Sequence, residues 1–181
     1  IPKSSFFTAR SWSHLADWGE ELKEFYSLAL KMLGATNTPK METGDLALKE
    51  VARDMGKEKD IKPTNVAVYF GEPGKTVADP YFSGKGPDRT GCIFCGGCMV
   101  GCRYDAKNTL DKNYLYLAQQ SGVEIQAETE VVDVKPKGNE NGSEGYDVFW
   151  KNSTSMLFKK RGKVSCQGVI FSGGVLGTVQ L

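Results

Sequence analysis

The chain has 181 residues, 40% hydrophobic and 25% charged, with 23 Lys and Arg against 22 Asp and Glu for a formal net charge of +1. That is ordinary globular composition at about one domain's length. So even a balance excludes the broad basic footprint of a nucleic-acid or anionic-membrane binder, and no apolar run approaches the ~18 residues of a membrane-spanning helix.

Residue 1 is Ile, and Leu181 directly follows a helix-starting pattern, so the chain is expected to be an internal piece of a longer polypeptide. In chain order, Asp17 and Glu20 make a capping-box-like start. Trp18, Leu22, Phe25, Tyr26, Leu30 and Leu33 then recur at helical spacing as far as Gly34. A second amphipathic helix is predicted from Thr43, burying Leu48, Val51, Ala52 and Met55, with Gly56 placed as a left-handed cap. Both apolar stripes read as core.

"NVAVYFG" at 65–71 suits a strand, and 71–91, with three Pro and five Gly, reads as an irregular excursion of the kind that serves a site. After the cysteines, Thr109 is expected to cap a helix carrying Leu110, Tyr114 and Leu117 up to Gly122. "VEIQAETEVVDVKPK" follows with strand alternation. The polar turn "KGNENGSEG" then leads into "YDVFW", where Tyr146, Val148 and Trp150 share a face. "GVIFSGG" is predicted as a last strand before a short helix. The order points to a mixed α/β or α+β fold whose sheet has further strands elsewhere.

Cys92, Cys95, Cys98 and Cys102 spell C-x2-C-x2-C-x3-C, the spacing by which ferredoxins hold iron–sulfur clusters with thiolates. Zinc suits the run less well, since its knuckles usually lie a dozen or more residues apart. Arg103 stands where ferredoxins have Pro, and the alternative is a set of free or disulfide-paired thiols. Four close, available thiols favour a reducing compartment, the cytoplasm.

The C-terminal "GVIFSGGVLGTVQL" has the layout of a strand entering a glycine turn that opens a helix, suited to a phosphate or to close helix–strand packing. The lone His14 in "SWSHLADW" reads as a surface residue, and Asp17, Glu20 and Glu21 as a helix start complementing the dipole. Lys159, Lys160, Arg161 and Lys163 read as a solvated hairpin edge.

Taken together, "DAKNTLDKNYLYLA" at 105–118, "ETEVVDV", "GVIFSGGVLGTVQL" and the opening "IPKSSFF" resemble the glucose-methanol-choline (GMC) flavoprotein oxidoreductases, on their cholesterol oxidase-like branch. The resemblance covers most of the chain and is best over 89–181. It implies a fragment of a GMC-type FAD-binding fold with part of its substrate domain. Residues 1–90 would be part of the substrate or cap region, 91–104 a Cys-rich loop, and 105–181 part of the FAD-binding domain. By the same resemblance, Val131 matches the residue whose backbone meets the adenine of FAD, flanked by Glu130 and Val132. Ser172, Gly173 and Gly174 match the glycine turn that returns to the nucleotide.

The family's N-terminal G-x-G-x-x-G and its catalytic His would lie outside the chain, so no catalytic residue is expected within it. The implied chemistry is hydride transfer from the CH–OH carbon of an alcohol or sterol-like substrate to flavin. A cluster beside FAD would pass electrons to an acceptor protein, favouring a dehydrogenase over an oxidase. The alternatives are a ferredoxin-like electron-transfer module and a zinc-bound interaction domain. Unpaired strand edges lead us to expect self-association of the piece, as a homo-oligomer or an aggregating monomer.

Overall fold

The computed structural model describes residues 2–179 and 181, and divides by packing into two units, Ile1–Val123 and Glu124–Leu181. The fold is mixed α/β, as expected, built of short helices and small antiparallel sheets.

The first unit opens with α1 (Ser4–Phe7), α2 (Trp18–Glu21) and α3 (Lys23–Met32). Asp17 Oδ1 accepts the Glu20 amide at the start of α2, and Leu22 breaks the predicted single helix into two. Indole donors tie this entry together: Trp12 Nε1 donates to Phe6 O and Trp18 Nε1 to Trp12 O, each at 2.8 Å. Next comes α4 (Thr43–Asp54), capped by a reciprocal pair in which Glu42 and Asp45 each accept a backbone amide. Gly34 and Gly56 end α3 and α4 with φ of +56° and +68°, as the sequence led one to expect. On α4 only Ala52 is buried; Leu48, Val51 and Met55 stand 58%, 53% and 70% exposed, so this stripe is not core within the chain.

The predicted strand at 65–71 shrinks to β2 (Asn65–Val66), paired with β1 (Thr36–Asn37), plus a bridge from Val68 to Lys107. Inside the 71–91 excursion, β3 (Thr76–Val77) and β4 (Arg89–Thr90) form a minimal hairpin. Its loop winds around one carboxylate, because Asp79 accepts backbone amides from Tyr81, Phe82, Gly84 and Gly86 at 2.9–3.1 Å. Thr109 precedes a 3-10 turn, Leu110–Lys112, and the α-helix α5 (Tyr114–Gln120) starts only after Asn113, whose Oδ1 accepts the Tyr114 amide.

The second unit is a three-stranded antiparallel meander of β5 (Thr129–Pro136), β6 (Tyr146–Asn152) and β7 (Arg161–Cys166), followed by α6 (Gly174–Val179). Tyr146, Val148 and Trp150 lie at alternate positions of the central strand, as predicted. Residues 168–172, expected as a strand, run without any ladder partner. A strand is defined by its neighbour, and this segment finds none among the described residues. No helix among the described residues is long and apolar enough to cross a membrane.

Candidate functional site

The cysteine loop takes its shape from a buried arginine. Arg89, on β4, is 1% exposed; its Nε donates to Asp105 O at 2.8 Å and its Nη2 to Lys107 O at 2.9 Å. These bonds clamp the turn at 104–107, in which Asp105 adopts φ +55°, a conformation that a non-glycine residue holds only when its surroundings impose it. The same turn is stitched to the strand region by Tyr69 N donating to Ala106 O and Asn108 N to Ala67 O, both at 2.8 Å. Lys112 Nζ completes the brace at 2.6 Å from Asp105 Oδ1.

Cys102 sits against this turn. Burial pushes its thiol up, but the nearby backbone amides of Lys107, Tyr104 and Ala106 outweigh burial and the repulsion of Asp105 and bring it below its ordinary value. Arg89 answers in kind: burial pulls its guanidinium down, opposed by the negative potential of Tyr81, Asp105, Cys102 and Asp111.

All four loop cysteines border one apolar cavity of about 510 Å³, whose other walls include Val66, Val68, Phe70, Ile93, Phe94 and Ala106. Phe70 and Phe94 stack with ring centroids 5.6 Å apart, and Lys40 Nζ lies 5.6 Å above the Phe94 ring. Cys92 is half-buried, its sulfur accepting the Phe94 amide at 3.4 Å. Cys95 and Cys98 are exposed, next to and within a 3-10 turn over Gly97–Val100. Lys107 Nζ donates to Cys98 O at 2.8 Å.

The four thiols are free, and among the described residues no three His, Cys, Asp or Glu converge to hold a metal ion. Spread around a cavity wall rather than gathered on a point, they do not fit the iron–sulfur cluster that their spacing suggests. Cys166, the fifth cysteine, is in the second unit at the end of β7.

The residues singled out for nucleotide binding all lie in the second unit. Val131 pairs with Trp150, and the register then skips to Asp133 opposite Phe149, so Val132 is bulged out of the ladder. A bulge leaves backbone groups free for a ligand, and here it falls on β5, whose outer edge has no neighbouring strand among the described residues. Val131 and Val132 are 38% and 41% exposed. Glu130 faces the partner strand, 3.0 Å from Lys151 Nζ.

The turn Ser172–Gly173–Gly174 is unobstructed. A Cβ at Gly173 would meet nothing nearer than Thr178 Oγ1 at 3.7 Å, and one at Gly174 would meet nothing, although φ of +73° there demands glycine. Bare backbone of this kind fits the approach of a pyrophosphate. Among the described residues no hydrogen bond joins the bulge to this turn. His14 is exposed, as expected of a surface residue.

Reading the sequence missed the buried polar residues that build the first unit's site, namely Arg89, Asn108 and Asn113, the last 1% exposed with its Nδ2 unpartnered. Asn108 Nδ2 donates to Leu33 O at 3.0 Å, linking the "AKNTLDKN" stretch to the end of α3. Two asparagines inside one motif were the available signal; Arg89 had none.

Compared with known proteins, the chain is 44% identical to a cholesterol oxidase of Acinetobacter baumannii, over all of this chain and 34% of that protein. It is 42% identical to cholesterol oxidases of Mycobacterium tuberculosis strains CDC 1551 and H37Rv, over all of this chain and 32% of theirs. No family profile and no solved structure matches. The chain therefore spans about a third of the length of the curated relatives it matches. From end to end, then, the chain is similar in sequence to about a third of the length of cholesterol oxidases.

Proposed function

We propose that the chain is part of an FAD-dependent oxidoreductase that oxidises the CH–OH group of an alcohol, with a sterol-like compound as the substrate class. The similarity to cholesterol oxidases along the whole chain carries this reading. FAD would supply the hydride acceptor.

This chain's own contribution is to bind and orient. The bulged backbone at Val131 and Val132, on an open sheet edge, offers amide and carbonyl groups to the adenine end. At Ser172–Gly174 the backbone is bare enough for a charged diphosphate to lie against its amides. Glu130, paired with Lys151 on the neighbouring strand, flanks the contact at Val131. The base that takes the hydroxyl proton is assigned to the part of the whole protein beyond this chain.

The test is made on the full-length protein, by its absorption spectrum and by turnover of a sterol alcohol with either oxygen or an artificial acceptor. Flavin bands and alcohol-dependent reduction are expected. Gly174→Val is expected to weaken FAD retention about tenfold, since a side chain in the left-handed region costs roughly 1–2 kcal/mol. A colourless protein without bound flavin, or flavin that no alcohol reduces, would overturn the reading.

A further inference from the structure

The loop joining β6 to β7 is a built turn with an apolar surface. Asn152 N closes it by donating to Lys160 O at 2.8 Å, Asn152 Oδ1 accepts the Ser155 amide at 2.6 Å, and Ser155 Oγ donates to Phe158 O at 3.2 Å. Two bonds also tie it to the residue before β5, from Ser153 N to Glu128 O at 2.8 Å and from Thr154 Oγ1 to Glu128 Oε2 at 3.0 Å. Yet Met156, Leu157 and Phe158, three consecutive large apolar side chains, stand 94%, 87% and 91% exposed. A turn that spends its polar groups on itself and leaves its apolar side chains in water holds that surface for a contact.

Basic residues follow at once. Lys159, Lys160 and Arg161 are all exposed. On the flanking strands Lys151 and Lys163 are engaged, by Glu130 at 3.0 Å and Asp147 at 2.8 Å, whereas these three pair with no carboxylate among the described residues. Between Asn152 and Arg161 the loop has no acidic residue. The near-even charge of the whole chain conceals this local excess.

We propose that the loop docks on a lipid bilayer bearing anionic headgroups, with Met156, Leu157 and Phe158 entering the boundary between headgroups and acyl chains and Lys159, Lys160 and Arg161 meeting the phosphates. A short apolar segment sinks only about 5–10 Å and holds weakly by itself, so adjacent cations supply the second attachment. Three apolar residues followed directly by three unpaired cations suit a bilayer better than a groove on a protein. The protein would have to match each cation with a carboxylate or leave it buried and unpaired, whereas the bilayer accepts both groups at their own depths. Such docking requires neither flavin nor alcohol oxidation.

The experiment sediments full-length protein with vesicles made of two parts phosphatidylcholine to one part phosphatidylglycerol, and with vesicles of phosphatidylcholine alone. Binding is expected to the mixed vesicles, weakening about tenfold as salt rises from 0.1 to 1 M. Replacing Lys159, Lys160 and Arg161 by Gln should weaken it about a hundredfold. Replacing Met156, Leu157 and Phe158 by Ser should weaken it about tenfold, with the melting temperature unchanged because these side chains are already in water. Acetylation mapped by mass spectrometry gives a second readout: Lys159 and Lys160 should react as fast as the exposed Lys59 in buffer, and the mixed vesicles should protect the first two but not Lys59. Equal binding to both kinds of vesicle, or to neither, would overturn the proposal. So would undiminished binding by either triple variant, or slow acetylation of Lys159 and Lys160 in buffer alone, which would mean that the rest of the polypeptide covers the loop.

Discussion

Single side chains decide the local shape of the first unit, Arg89 above all. It lies buried with two hydrogen bonds to carbonyls that no other side chain serves, those of Asp105 and Lys107. Arg89→Met should therefore remove both bonds, leaving Lys107 O with only the Thr109 amide, and cost about 2 kcal/mol, a loss that denaturant unfolding would read directly. Asp79 plays a comparable part in the 71–91 excursion. Burial pushes its carboxyl up, but the amides of Tyr81, Gly86, Phe82 and Gly84 prevail and hold it below 3.8. A depressed folded value means that its stabilisation is complete above the unfolded pKa of about 4 and fades as pH falls through the folded one. Asp79→Asn should remove about 2 kcal/mol at neutral pH. It should also flatten the acid limb of a thermal-melt profile between pH 4 and lower values. Neither role was visible in the sequence, because a lone Arg or Asp carries no sign of which distant backbone groups it will meet; the partners of Arg89 are 16 and 18 residues away.

Among elements, those ruled by local periodicity were legible and those ruled by pairing were not. The ends of α3 and α4 fall where Gly34 and Gly56 place them, and the β5–β6 hairpin is written in alternation plus a polar turn. Residues 168–172 have the same strand-like composition, yet they form no ladder, since a strand also needs a neighbour that composition does not supply. Within the candidate site, the bulge at Val132 was equally illegible, because a skipped residue is a property of two strands together. The β3–β4 hairpin shows how tight such a pairing becomes. Gly91 exchanges backbone bonds with Gly74 and Lys75 at 2.9 and 3.0 Å, and an added Cβ would collide with the Glu72 carbonyl. Gly91→Ala must push backbone apart and should cost about 3 kcal/mol. Because β4 carries Arg89, the same variant should loosen the cysteine turn, seen as faster alkylation of the half-buried Cys92.

At the scale of the molecule, large apolar side chains remain uncovered. Leu48, Val51 and Met55 project from α4, and Ile170, Val175, Leu176 and Val179 near the C-terminus are 79–91% exposed. The periodicity that marked the α4 stripe as buried reports only that a helix has an apolar face, not what covers it. Together with the meander's two outer edges, which have no partner strand among the described residues, these surfaces predict that the 181-residue chain by itself associates. Size-exclusion with light scattering should give a mass above 19.8 kDa. Replacing Leu48, Val51 and Met55 by Gln should shift the chain toward monomer. One consequence of the arginine clamp concerns any attempt to borrow the cysteine loop. Excised as a peptide, the run from Cys92 to Lys107 would leave Arg89 behind and revert to a floppy string of equivalent thiols. Its chemical individuality is lent to it by a neighbouring hairpin, so mimics or grafts must carry both.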